Sequence, residues 1–238
     1  MTTTISQNQK LEITYPDSDG KPMADNTKQF RWIVTIQGGI DALFKDNPDV
    51  FVAGDLLWYP VEGNNKLRQA PDIMVVFGRP KGDRGSYQQW KENNIIPQVV
   101  FEILSPGNTF PEMLKKFKFY ETYGVEEYYI YDPDTGELFG YLRSENELKQ
   151  IEEMQGFSSP LLGIKFELVD GELQIYRPDG ERFLKYVELE EKRQLAEQQR
   201  QLAETKQQLA EQERKLAEAK AARLAEKLRA MGINPEEI

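Results

Sequence analysis

The chain has 238 residues, 39% hydrophobic and 11% aromatic, enough for one packed domain of roughly 150–190 residues and an appendage. It contains no cysteine and no histidine, which excludes disulfide frameworks, thiolate sites, Ser-His-Asp and Cys-His catalysis and ordinary zinc sites. A formal charge of −10 at pH 7 argues against a strong non-specific nucleic-acid binder, although a locally basic cleft would still be compatible with it.

No apolar run reaches the length of a membrane span, and the start, Met1-Thr-Thr-Thr-Ile-Ser-Gln, lacks the basic and apolar regions of a signal peptide. The reading is a soluble cytoplasmic protein with no membrane partner. Residues 1–29 are polar, with a turn at Pro16–Gly20. Phe30 to Phe44 reads as a helix, because Phe30, Ile33, Ile36, Ile40 and Leu43/Phe44 recur at helical steps, with Gly38-Gly39 weakening its middle. Val50–Ala53 and Leu56–Tyr59 read as one strand or a strand interrupted at Gly54. Asp72–Phe77 follows Pro71 as a strand and stops at Gly78, and a basic loop, Arg79 to Gly85, comes next. Gln98–Leu104 is a nearly continuous apolar run, as in a strand covered on both faces.

Pro111 to Tyr123 turns helical, with Met113, Phe117, Tyr120 and Tyr123 near one stripe and Gly124 as the cap. Glu127–Tyr131, Leu138–Leu142, Ile164–Leu168 and Leu173–Tyr176 read as further strands. The order of elements predicts an α/β domain with a mixed sheet flanked by helices over residues 1–187. From Glu188 the composition changes. Leu195, Leu202, Leu209 and Leu216 are spaced by seven, each followed by Ala-Glu, which predicts a long helix or coiled coil over 188–231 and a terminal extension over 232–238. With the leucines at d, the a positions hold Gln199, Lys206 and Glu213. The thin seam leaves three readings open: a solvated helix held by charge pairs, self-association into a homo-oligomer, or docking of another partner.

Two acids sit where strands should be apolar. Asp72 opens one strand and Glu102 lies inside Val99-Val-Phe-Glu-Ile-Leu104. A buried carboxylate is costly unless it is paired, hydrogen-bonded or coordinated. Two acids on neighbouring strands can face one Mg²⁺ or Mn²⁺ with a backbone carbonyl as a further ligand, and an attacking water can complete the shell. The alternative is that Asp72 caps a turn and Glu102 pairs with a core lysine or arginine. Arg79, Lys81 and Arg84 could meet phosphate or form a plain surface loop, and Tyr128, Tyr129 and Tyr131 could stack on bases or fill the core.

Pro71-Asp72, Phe101-Glu102-Ile-Leu-Ser-Pro106, Lys116 with Tyr120, and Gly124-Val-Glu-Glu-Tyr-Tyr-Ile-Tyr-Asp-Pro133 together resemble the Uma family of restriction-endonuclease-like proteins, in the PD-(D/E)XK nuclease superfamily. The resemblance covers about residues 25–180. It implies a Mg²⁺-dependent endonuclease acting on DNA, with Asp72 and Glu102 as metal-binding acids and the Ile103 carbonyl as a further ligand. The superfamily usually carries a lysine two residues after the second acid, where this chain has Leu104. The resemblance instead points to Lys116 as the catalytic lysine, with Glu112 one turn earlier holding it. Lys115 lies about 100° away around the helix. Three functions compete: this endonuclease; a catalytically inactive nuclease-like module that binds or assembles through its coiled-coil tail; and, more remotely, a carboxylate enzyme acting on sugars.

Overall fold

The computed structural model describes residues 13–20, 22–232 and 234. The predicted polar start over 1–12 and most of the terminal extension lie outside the described residues. The chain divides between Lys185 and Tyr186 into two compact units.

The first helix, α1 (Thr27–Leu43), starts three residues before Phe30 because Asn26 caps it, its side chain accepting from the Lys28 and Gln29 amides. Ile33, Ile36 and Ile40 are buried as the periodicity requires, together with Trp32. Phe30, counted in the predicted stripe, is 47% exposed, so the apolar face is rotated away from it. The weak point at Gly38-Gly39 has a packing reason. A Cβ on Gly39 would lie 2.3 Å from the Phe183 ring, so only glycine lets that ring rest on the helix.

The strands β1 (Val50–Gly54), β2 (Trp58–Tyr59), β3 (Ile73–Phe77), β4 (Tyr87–Gln88) and β5 (Val99–Ile103) follow. The break suspected at Gly54 is real: Asp55 takes φ 47°, and the chain leaves β1 for β2, which pairs in parallel with β4. After β5 come α2 (Phe110–Thr122), β6 (Glu127–Asp132), β7 (Glu137–Ser144), β8 (Glu147–Gln150), β9 (Lys165–Val169) and β10 (Glu172–Tyr176). Among the described residues the main sheet has six strands in the order β1-β3-β5-β6-β7-β8. Only β5 and β6 run parallel within it, and α2 makes the crossover between them. This is an α/β fold with a mixed sheet.

Strand alternation divides the core in two. Ile73, Val75, Val99, Phe101, Ile103, Tyr129 and Tyr131 face the α1 side, joined by Phe166, Leu173 and Ile175 of the β9–β10 hairpin. Met74, Val76, Val100 and Tyr128 face the other side with Tyr120 of α2. Tyr128, Tyr129 and Tyr131 are therefore all core residues, none of them offered to a base. The basic loop is tied down as well. Arg79 and Arg84 both grip Glu92, Arg84 covers the Phe51 ring at 3.9 Å, and Lys81 pairs with Asp41.

The second unit is described by α3 (Tyr186–Ala230), a 45-residue helix without a buried residue. No helix among the described residues is long and apolar enough to cross a membrane.

Candidate active site

The antiparallel register that pairs Ile73 with Phe101 and Met74 with Val100 sets Asp72 opposite Glu102, with both side chains on the α2 face. The β3–β5 pairing ends at Ile73 and Phe101, one residue short of the two acids, while β5 stays paired with β6 through Ile103; both carboxylates are buried, at 8% and 2% exposure. From α2, Lys116 reaches down to Glu102, its Nζ donating to Oε2 at 2.7 Å. Tyr120, one helical turn later on the same face, donates its hydroxyl to Glu102 Oε1 at 2.5 Å. Both Glu102 oxygens are thus engaged.

Asp72 is held differently. Its Oδ2 accepts from the Ile103 amide at 2.7 Å, and no hydrogen bond among the described residues uses Oδ1. Burial, then the facing Glu102 charge, pushes the Asp72 carboxyl well above the ordinary carboxylate range, with Lys116 and the Ile103 amide opposing. Burial alone would favour a neutral Lys116, but Glu102 and Asp72 outweigh it and hold the ammonium above its usual value, with Glu112 adding to the effect. Burial and Glu102 likewise keep the Tyr120 phenol protonated far above its usual range.

The structure brings Asp72, Glu102, Ile103 and Lys116 together, and leaves Lys115 exposed and outside the cavity lining. Leu104, at the position the superfamily usually gives to lysine, is apolar and partly buried, and its amide bonds the Tyr131 carbonyl.

Several participants were not foreseen. Gln29 of α1, 5% exposed, donates from Nε2 to the Ile103 carbonyl at 2.7 Å and accepts the Asp25 amide on Oε1 at 2.8 Å. Gln29 thus braces the Ile103 carbonyl, while the amide of the same residue, in the preceding peptide group, holds the Asp72 carboxylate. Asn26 followed three residues later by Gln29 has the spacing of a helix-capping pair, and this was the signal available in the sequence. The Leu-Ser-Pro-Gly stretch also finds its reason here. Ser105 donates its hydroxyl to Asp25 at 2.5 Å, and a Cβ on Gly107 would come within 2.7 Å of the same carboxylate.

Asp19, Asp25, Asp55, Asp72, Glu112 and Lys116 all line one cavity of about 320 Å³. Asp55, in its left-handed conformation, donates its amide to the Asp72 carbonyl at 3.2 Å, and burial followed by the Asp19 charge raises its pKa. The cavity is therefore acidic rather than basic. Among the described residues no three acidic side chains gather closely enough to hold a metal by themselves. A cation here would depend on Asp72, Glu102 and the second lone pair of the Ile103 carbonyl.

Among solved structures, the chain is similar to the crystal structure of a putative nuclease belonging to DUF820 from Anabaena variabilis. The match has a TM-score of 0.44 at 19% identity and covers 59% of this chain and 74% of that one. No curated protein matches. The family model Uma2, described as "Putative restriction endonuclease", matches residues 22–162, more than half of the chain, a span that includes Asp72, Glu102, Ile103 and Lys116. The chain belongs to the Uma2 family.

Proposed function

We propose that the cavity is the active centre of a Mg²⁺- or Mn²⁺-dependent endonuclease that hydrolyses DNA phosphodiester bonds. The observation that carries this reading is the placement of Asp72 and Glu102 opposite each other on neighbouring strands, with Lys116 reaching the same point from α2. The donor set fits a hard divalent ion. It offers carboxylate and carbonyl oxygens only, one Asp72 oxygen takes no hydrogen bond among the described residues, and the like charges of two buried acids favour a cation. When bound, such an ion activates water and stabilises charge developing on the phosphate.

Each side chain then has a definite task. Asp72 and Glu102 would hold the ion, and the Ile103 amide aims the Asp72 carboxylate. Lys116 is kept positive at neutral pH, so it orients the attacking water and balances phosphate charge instead of accepting a proton. Tyr120 fixes the rotamer of Glu102, and Gln29 fixes the Ile103 carbonyl.

One observation favours a second reading. Lys116 and Tyr120 together satisfy both Glu102 oxygens, as they would in a nuclease-like scaffold that binds or assembles without cutting. Plasmid nicking and linear-DNA cleavage by homogeneous protein, with Mg²⁺ and with Mn²⁺, separate the two. Loss of cleavage in both Asp72→Ala and Glu102→Ala supports the endonuclease. Undiminished cutting by both variants refutes it, and no cutting by the wild type with either ion selects the scaffold.

A further inference from the structure

The long helix α3 carries its charges in an ordered way. With Leu195, Leu202, Leu209 and Leu216 at d, the ion pairs Arg193–Glu190, Arg200–Glu204, Arg214–Glu211, Arg214–Glu218 and Lys215–Glu211 all fall on positions b, c and f. The opposite face holds the four leucines, 55–60% exposed, bordered at e by Ala196, Ala203, Ala210 and Ala217. The g flank is uncharged too, with Gln198, Thr205, Gln212 and Ala219. Between Leu195 and Lys220 charge enters this face only at a, through Lys206, Glu213 and Lys220, and none of the three joins an ion pair within the helix. Towards the ends, Lys192 and Lys227 at a, Glu188 and Arg223 at d, and Glu191 and Glu226 at g add further charge.

Those three residues decide what fits the face. A parallel, in-register copy would set Lys206 against Lys206, Glu213 against Glu213 and Lys220 against Lys220, three like-charge layers in succession. A copy running the other way sets every a residue against a leucine or another d residue. The register that overlaps essentially all of Tyr186–Ala230 pairs Leu195 with the partner's Lys220, Leu202 with the partner's Glu213, Leu209 with the partner's Lys206 and Leu216 with the partner's Gln199. At the ends Glu188 meets the partner's Lys227, and the one kind of like-charge layer is Arg223 with the partner's Lys192. In that register the two Lys206 side chains are flanked on either side by the two Glu213 carboxylates. Lysine stems can lie along the leucines with their ammonium groups at the rim.

We propose that α3 is an antiparallel dimerisation helix, its Leu/Ala face taking the same face of a second copy of this chain. The proposal concerns the helix alone and stands or falls separately from the nuclease reading. Because the chain has no cysteine, introduced thiols report orientation cleanly. The full-length chain should sediment at twice its 27.6 kDa mass, and Leu202→Glu with Leu209→Glu should return it to the monomer. Full-length Leu195→Cys and Lys220→Cys should form a disulfide-linked dimer when mixed under oxidising conditions. Neither should do so alone, since the two copies of either thiol would lie about 37 Å apart along the axis. A monomeric wild type, a dimer that survives the double glutamate variant, or cross-linking of either single variant with itself as efficient as the mixture would overturn it.

Discussion

Lys116→Met tests the electrostatics of the cavity without any assumption about catalysis. The substitution keeps an unbranched side chain of similar reach on α2 and removes only the ammonium that sits 2.7 Å from Glu102. What remains is a 2%-exposed Glu102 facing an 8%-exposed Asp72, two buried carboxyls with no cation between them in metal-free protein. Removing one partner of a buried pair costs about 3–5 kcal/mol, because the surviving charge keeps its desolvation penalty. Here Tyr120 still donates to Glu102, which argues for the lower end, about 3 kcal/mol. Part of the cost comes from the facing Asp72 charge, so it should shrink as the pH falls and the Asp72 carboxyl, raised by its burial, takes up a proton. Urea denaturation followed by tryptophan fluorescence, in chelator at pH 7.5 and pH 5, measures both effects. A loss below about 1 kcal/mol at pH 7.5, the range of an exposed pair, would refute the reasoning, as would a loss that does not diminish at pH 5.

Asp72→Asn should stabilise the metal-free protein at neutral pH, by on the order of 1 kcal/mol. The folded pKa of Asp72 lies above its unfolded value, so the stability this group contributes is present below the unfolded pKa and lost as pH rises through the folded one. The advantage of the asparagine variant should therefore grow from pH 4 upward, and thermal melts showing the opposite slope would contradict the assignment. Neighbouring glycines in α1 give a paired test. A Cβ on Gly38 meets nothing within 4 Å, so Gly38→Ala should stabilise by up to about 1 kcal/mol. Gly39→Ala must displace the Phe183 ring and should destabilise by about 1–3 kcal/mol; equal effects at the two positions in chemical denaturation would rule out that packing argument.

Legibility in the sequence followed how far each residue's role depends on its own strand or helix. The buried strands announced themselves as apolar runs, and Glu102 stood out because it interrupts one of them. Lys116 became legible through the family pattern, since nothing in local periodicity separates it from Lys115. Residues that act across elements were hidden. Gln29 looks like a surface amide on a helix until the fold brings it to Ile103; Asp19 and Asp25 reach the cavity from the stretch before α1, and Asp55 from the turn after β1. Glu127 looks like the polar start of a strand, yet it is buried and takes hydrogen bonds from Tyr129, Ser159 and the Leu161 amide. The strand β8 escaped because Leu148 is its one buried residue, and Phe30 misled because it falls on the helical period but outside the packed arc.

Among the described residues three carboxyls, Asp55, Asp72 and Glu127, are raised by burial, which has a further consequence in a chain without histidine. Between pH 5 and 8 no side chain here has an ordinary pKa. That interval is an empty spectral window, and any proton taken up or released within it comes from a carboxyl moved upward by its surroundings or from a free amino terminus. Potentiometric or carboxyl-resolved infrared titration across neutrality therefore reads the interior of this protein directly, against a background that in most proteins is dominated by imidazole.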